Sequence, residues 1–466
     1  MSGPNWSRRR ALSAAGVGVA SLAGCISGDS DDGDDGDDGT TVTPETTPEP
    51  DFTPPTPDPG FEPDPDWEPP TDVPTSSVEV NVLVENLEIP WDIALAANGD
   101  LFVTERTGQI NRFSAGDIDE VLAPGDAIDA EAVAPGDHER PWWVHGGEGG
   151  TMGIETHPDY PDEPWVYVCY TTAEETNKLV RYDISADDPG DTEEVLVEFP
   201  GHQVHNGGRI EFGPDGYLWV GTGSAAFDEE EESSQVRDLS SLAGKVLRVD
   251  ADGEPAPDNP EFGGDADPRI YSFGHRNVQG IVWPTPETPI VTEHGPTARD
   301  EINRLVAGGD YGWDYYDDAV RSIPEDDEHE TYVDHDGVFP PLVNTGPGTT
   351  WAPSGATFYT GNDVPSWQNR MIVGGLISQT SYVLTLTPPG ADLPPEDGGT
   401  RYDADWYDHV YTVTAHPVLE DQLGRVRHLT QGNDGELYAI TSNRDGRADS
   451  PFPTEQDDVL VRIESS

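Results

Sequence analysis

The chain has 466 residues and carries 91 Asp and Glu against 24 Lys and Arg, a formal charge of −67. That balance excludes nucleic acid as a partner and simple adsorption to anionic lipid, since both are polyanions. Tryptophan, tyrosine and aliphatic runs after about residue 77 argue against disorder, so the carboxylates read as the surface of a foldable protein adapted to concentrated salt, where screening removes self-repulsion.

In chain order, the N-terminus is an address. "SRRRALSAAGVGVASLAGC" places Arg8 to Arg10 before an Ala/Gly/Val stretch too short to span a membrane. It resembles a twin-arginine export signal, although Ala11 stands where that pattern prefers a bulky apolar residue. "LAGC" resembles a lipobox, which implies cleavage before Cys25 and lipidation of its thiol. Residues 1–25 are therefore expected to be a signal, in the manner of haloarchaeal exported lipoproteins, leaving a cell-surface protein that meets the membrane only through its lipid. Residues 26–76, without lysine or arginine and rich in Asp, Pro and Thr, read as an extended solvated tether. Residues 77–466 are the expected folded domain. Cys169 is the one cysteine besides Cys25, so the domain has no disulfide framework and Cys169 reads as a buried strand residue.

From about residue 78 helical periodicity is nearly absent, and one signature recurs: an apolar strand, a turn, a second strand. It appears in "IPWDIALAANGDLFVTERTGQINRF", "GGTMGIETHPDYPDEPWVYVCYTT" and "HNGGRIEFGPDGYLWVGTG", then in "RNVQGIVWPTPETPIVTEHG", "WAPSGATFYTGNDVPSWQNRMIVGGL" and "GRVRHLTQGNDGELYAITSN". Six copies at intervals of roughly 55 to 75 residues predict an all-β, six-bladed propeller of four-stranded antiparallel blades. A sandwich pair would not repeat one unit six times, and a β-helix needs shorter, stricter repeats. "VEVNVLV" near residue 80 and "DVLVRIE" near the C-terminus are expected to share a blade and close the ring.

In a propeller, equivalent blade ends surround one central depression. His205 starts the third unit, His275, Arg276, Asn277 and Gln279 the fourth, and Arg425 and Arg427 the sixth. Glu148 precedes the second, while Gly295, Pro296, Asp300 and Glu301 follow the fourth unit's second strand. Gly207 and Gly208 beside His205 are expected to keep the floor of the depression low. The stretch with His138, Glu139, His145 and Glu148 lacks the spacing that puts two zinc ligands on one helix face. Asp228 to Glu232 lacks the glycine turn and alternating ligands of an EF-hand. Trp142 and Trp143 suit sugar stacking and blade packing equally.

"GEGGTMGIETHPDY", "HNGGRIEFGPDG", "AGKVLRVDADGEPAPDNP", "GHRNVQGIVW", "EHGPTARDEINRLVAGGDYGW", "WAPSGATFY" and "GRVRHLTQGNDGELYAIT" follow one another in this order. From about residue 80 to 463 the chain resembles the soluble aldose/glucose dehydrogenases, related to glucose/sorbosone dehydrogenases, that use pyrroloquinoline quinone (PQQ) and calcium. "GHRNVQG" followed by "EHGP" and "GGDYGW" is the most specific part. The resemblance implies that His205 is the general base taking the proton of a sugar's C1 hydroxyl, while hydride passes to PQQ. It implies that Arg276 hydrogen-bonds the quinone oxygen and that Asn277 contacts the cofactor edge. It further implies that Arg425 and Arg427 grip cofactor carboxylates and that Glu148 lines the pocket. The backbone carbonyls of Gly295 and Pro296 would hold calcium, and electrons would pass to a quinone or another acceptor.

Two departures stand out. Where the family carries a lysine against the cofactor, this chain has Ile377 and Ser378, which would forfeit about 1–3 kcal/mol of charge-assisted binding. Val204 stands where the glucose enzymes place an acidic residue, so His205 lacks an orienting carboxylate from its neighbour. Two other functions remain open: a propeller without cofactor that binds glycans or a surface protein, and a calcium-dependent lactonase, which needs side-chain metal ligands in the channel.

Overall fold

The computed structural model describes residues 68–137, 147–226, 235–313 and 337–466. Cys25, the address, nearly all of the tether, His138 to His145 and Asp228 to Glu232 lie outside the described residues. Six separate antiparallel sheets follow one another along the chain, each a blade. Their innermost strands are Pro90–Leu95, Thr151–Thr156, Gly207–Phe212, Val278–Val282, Pro353–Tyr359 and Val426–Gln431, at the six predicted positions. Five blades have four strands, and blade five adds the short Thr400–Tyr402.

The ring closes as the two terminal strands predict. Val78–Val84 pairs antiparallel with Leu460–Ser465, from Val78 opposite Ser465 to Val82 opposite Val461, so the first strand completes the last blade. Contacts extend back beyond residue 77: Trp367 Nε1 donates to Thr75 O at 2.8 Å, and Arg370 Nη2 pairs with Asp72 at 3.0 Å. Apolar side chains on both faces of a blade are buried because each face packs on a neighbour. Tyr167, Cys169 and Leu179 of blade two thus share a cluster with Ile210, Leu218 and Val220 of blade three. Cys169 is buried as expected.

All six inner strands carry a register irregularity in their first residues, between Pro90 and Asp92, Thr151 and Ile154, Gly207 and Arg209, Val278 and Gly280, Pro353 and Ala356, and Val426 and His428. A bulge bends its strand and re-aims the side chains beside it. Just below that rim the axis is filled by ions. Asp92 pairs with Arg209 and His428, and both partners of the arginine pair are fully buried.

Further along the inner strands of blades two and three lie Glu155 and Glu211, whose titrations are coupled to one another. Burial pushes Glu155 up to about 7, and burial with the charges of Glu155 and Asp92 raises Glu211 well above the usual carboxylate range. The folded chain therefore holds protons on these carboxyls more tightly than the unfolded one. The pair's stabilisation is present at pH values below the ordinary glutamate pKa and is lost as pH rises through about 7. Glu211→Gln should raise the thermal midpoint more at pH 8 than at pH 5 relative to wild type. An equal change at both values would contradict the raised carboxyls.

Candidate functional site

His205 precedes the inner strand of blade three and holds a left-handed backbone, φ 54°. That conformation costs a non-glycine residue about 1–2 kcal/mol, so something must hold it. Glu148 does so from blade two: its Oε2 accepts from His205 N at 3.0 Å, while Ala225 N donates to His205 O at 2.9 Å. Nδ1 of the ring lies 3.0 Å from Ala226 O. A carbonyl only accepts, which assigns the proton to Nδ1 and leaves the Nε2 lone pair facing outward. Arg276 Nη2 donates to that lone pair at 2.9 Å. Val204 is buried, so the ring's orientation comes from Ala226 and Arg276, with Glu148 holding the backbone, and not from a chain neighbour.

The two glycines serve a further purpose besides the one expected. Gly207 has φ 63° and Gly208 φ 94°; a Cβ on the first would fall 2.4 Å from the Thr222 carbonyl carbon, and on the second 2.8 Å from Met152 Cε. They admit the bulge and the close approach of neighbouring strands. Gly207 also lines the cavity described below, as expected of it.

Arg276 is anchored by its backbone, N to Glu293 Oε1 at 2.5 Å, and its Nη1 donates to Gly295 O at 2.9 Å. His275 is a buried brace, with Nδ1 on Glu293 Oε2 at 2.9 Å and Nε2 on Ser272 Oγ at 2.8 Å. Asn277 links blades, its Oδ1 accepting from Gly207 N at 3.0 Å. Asp300 fixes the loop that begins with Gly295 and Pro296. It accepts from Gly295 N at 3.0 Å, Thr350 Oγ1 at 2.7 Å and Trp351 N at 2.7 Å. A Cβ at Gly295 would fall 1.9 Å from Ala298 O.

At this rim lies a small cavity, partly open to solvent, lined by Trp91, Arg106, Glu148, Met152, Asn206, Gly207, Gln279, His294, Leu376, Arg427 and Arg447. Of the site residues expected from sequence, Glu148 and Arg427 line it, while His205 and Arg276 are bonded to each other at its side. Arg425 does not line it: its three donor groups reach Ser442 O, Leu376 O and Asp445. Asn277, Gly295 and Pro296 also lie outside the lining. Ile377 is half exposed and Ser378 Oγ turns to backbone carbonyls.

Among the described residues, three arginines and one carboxylate in the lining leave an excess of two positive charges, within a chain whose net charge is −67. Burial, then Arg106 and Arg425, push the Arg427 guanidinium down to about 9, and its Nε is buried with no partner among the described residues. Burial likewise holds His294 down to about 3, a neutral ring whose Nε2 has no partner. Against the desolvation that burial imposes, Arg447 and then His205 hold Glu148 well below the usual carboxylate range.

Arg106, His294 and Arg447 were missed by reading blade starts alone. They follow second strands, in "TERTG", "EHGP" and "NRDGR", and antiparallel pairing returns those strands to the same rim.

Residues 87–450 match the family described as Glucose / Sorbosone dehydrogenase. The chain belongs to that family. Among glucose/sorbosone dehydrogenase relatives, it is 28% identical to the aldose sugar dehydrogenase YliI of Escherichia coli, over 80% of this chain and 92% of that one. It is also 28% identical to the quinoprotein glucose dehydrogenase B of Acinetobacter calcoaceticus, over 51% of this chain and 53% of that one. The PQQ-bound aldose sugar dehydrogenase of Streptomyces coelicolor superposes with a TM-score of 0.62 at 28% identity, over 84% of this chain and 99% of that one.

The role given to Glu148 can be tested by stability. Glu148→Gln keeps an oxygen for His205 N–H, whereas Glu148→Ala leaves that donor without its acceptor. Chemical denaturation should find the alanine variant about 1–3 kcal/mol less stable than the glutamine variant. Equal stabilities would remove Glu148 from the support of His205.

Proposed function

We propose that this protein oxidises the C1 hydroxyl of aldose sugars to lactones, using PQQ with calcium and passing electrons to a quinone or another acceptor. The observation that carries the reading is the imidazole with its proton fixed on Nδ1 and its Nε2 against Arg276, beside a cavity with excess positive charge.

The residues present fit such a group. PQQ is a small planar tri-acid, and a cleft lined by three arginines, with buried Arg427 Nε and His294 Nε2 that have no partner among the described residues, suits an anion rich in acceptors. Arg427 would hold it, supported by Gln279 Oε1 at 2.9 Å. For calcium, the described residues contain no cluster of three His, Cys, Asp or Glu. The neutral carbonyls of Gly295 and Pro296, together with donors of the cofactor, are the oxygen set that a hard cation accepts. When bound, the cofactor supplies a two-electron acceptor and calcium polarises it.

The chain's own residues do the proton chemistry. The sugar hydroxyl takes the place of Arg276 Nη2 at His205 Nε2 and gives its proton there as the C1–H bond breaks with its electron pair. Ala226 O keeps the ring oriented, and ionised Glu148 faces the positive charge that the ring gains. Arg276 retains Gly295 O and turns its released donor to the oxygen on which negative charge develops. The same proposal places the domain outside the cell, tethered through a lipid on Cys25, in a habitat of concentrated salt.

Purified protein in high salt with PQQ and calcium should reduce a dye when given aldoses. His205→Ala should lower that rate by about 10²–10⁴-fold, the usual worth of a positioned base. Undiminished activity would overturn the base assignment. A wild-type protein with no cofactor-dependent dye reduction would overturn the dehydrogenase in favour of a binding propeller.

A further inference from the structure

We propose that Arg106, which follows the second strand of blade one, joins Arg427 in holding the cofactor's carboxylates, in the place that the sequence pattern gave to Arg425. The inference rests on the reading of the cavity as a PQQ site, and it names the cations there that meet the acid groups.

Arg425 is committed to the protein. It is 2% exposed, and its Nη2 pairs with the equally buried Asp445 at 2.6 Å, while Nε and Nη1 reach Ser442 O and Leu376 O. It does not reach a ligand without abandoning a buried carboxylate, which is costly. Arg447 lines the cavity, but its Nη1 pairs with Glu148 Oε1 at 2.9 Å. Glu148 is the one carboxylate among the described lining residues, so the excess positive charge of the lining rests on Arg106 and Arg427.

Neither of these two has a counter-ion among the described residues, in a chain with 91 Asp and Glu. Arg106 is 1% exposed and its partners are backbone carbonyls: Nε donates to Gly149 O at 2.8 Å and Nη2 to Gly147 O, which leaves Nη1. Arg427 donates through Nη1 to Gln279 Oε1 at 2.9 Å and Ser354 Oγ at 3.3 Å, which leaves Nε. Neutral acceptors of this kind orient a guanidinium without cancelling its charge. Burial and then Arg447 push Arg106 down to about 10, and after burial Arg106 is the charge that lowers Arg427 most. Two like charges held in one desolvated cavity oppose each other, and a carboxylate between them reverses that opposition. The planar fork of each arginine suits the planar acid group.

Arg106 has a second task, and the test must separate the two. Gly147 and Gly149 flank Glu148, whose Oε2 holds His205 N, so Arg106 also pins the segment that supports His205. A purely structural Arg106 affects every ligand of the cavity alike. An Arg106 that holds an acid group discriminates between a ligand with free carboxylates and the same ligand without them.

The test is calorimetric titration of the full chain with PQQ and, separately, with its trimethyl ester, at constant salt. Arg106→Gln should weaken PQQ about 10- to 100-fold, the loss of one charge-assisted hydrogen bond, while changing ester binding little. Arg106→Lys keeps the charge but not the fork, and should weaken PQQ less, again sparing the ester; this variant carries the test if the glutamine variant does not fold. Arg427→Gln should show the same selective loss of the free acid. Arg425→Gln should lower the thermal midpoint and change PQQ and ester binding alike. Wild-type protein that binds no PQQ would sink the functional reading itself. Wild-type binding with unchanged affinity in the Arg106 variants would overturn this inference alone, as would equal losses for PQQ and ester. A loss selective for the free acid in Arg425→Gln and absent from Arg106→Gln would return the role to Arg425.

Discussion

The carboxylate of Asp92 ties the ring together. Its Oδ1 accepts from Arg209 Nη1, from His428 Nδ1 and from Ile93 N at 2.8 Å, and its Oδ2 accepts from Ile154 N at 3.0 Å. Arg209 in turn donates through Nε to Gln279 O at 2.9 Å and lies 4.4 Å over the Trp91 ring. Blades one, two, three, four and six therefore meet at one buried ion pair. Burial opposes the charge on Asp92, and Arg209 followed by His428 overcomes it, holding the carboxyl below its ordinary value. Losing either partner of such a pair strands the other, a penalty of about 3–5 kcal/mol. The value of the arrangement lies in registering strands that share no backbone hydrogen bonds.

The cavity is built on that hub. Trp91, which carries Arg209 on its ring, has Arg427 at 5.4 Å, and Gln279, whose carbonyl holds Arg209, offers its side-chain oxygen to Arg427. The bulge at the start of every inner strand then turns the chain above the hub and delivers groups from different blades to one depression. His205 shows the result. Its strained backbone, its tautomer and its partner come from Glu148, Ala226 and Arg276, none of them its neighbour in sequence. Rigid strands thus hold a loop residue in a conformation it would not keep alone.

Much of this is legible in the sequence. The six strand–turn–strand units, the closure by the terminal strands and the position of His205, Arg276, Glu148 and Arg427 at blade starts follow from a repeat that recurs in a fixed order. The remainder depends on partners that only the closed ring brings together. Val204 signals a missing carboxylate, yet the carboxylate arrives from Glu148, in another blade. Gly207 and Gly208 signal open space, and Gly207 does line the cavity, yet both are also required by the close approach of Thr222 and Met152. Arg425 and Arg427 look alike in "GRVRHL", but the bulge between Val426 and His428 separates a braced residue from one at the cavity.

The most direct measurement is single-turnover reduction of the PQQ-loaded protein by an aldose carrying deuterium at C1, compared with the unlabelled sugar. Cleavage of the C1–H bond beside His205 requires the labelled sugar to react several-fold more slowly and the product to be the C1 lactone. Equal rates with the two sugars, or a product oxidised elsewhere, would contradict it.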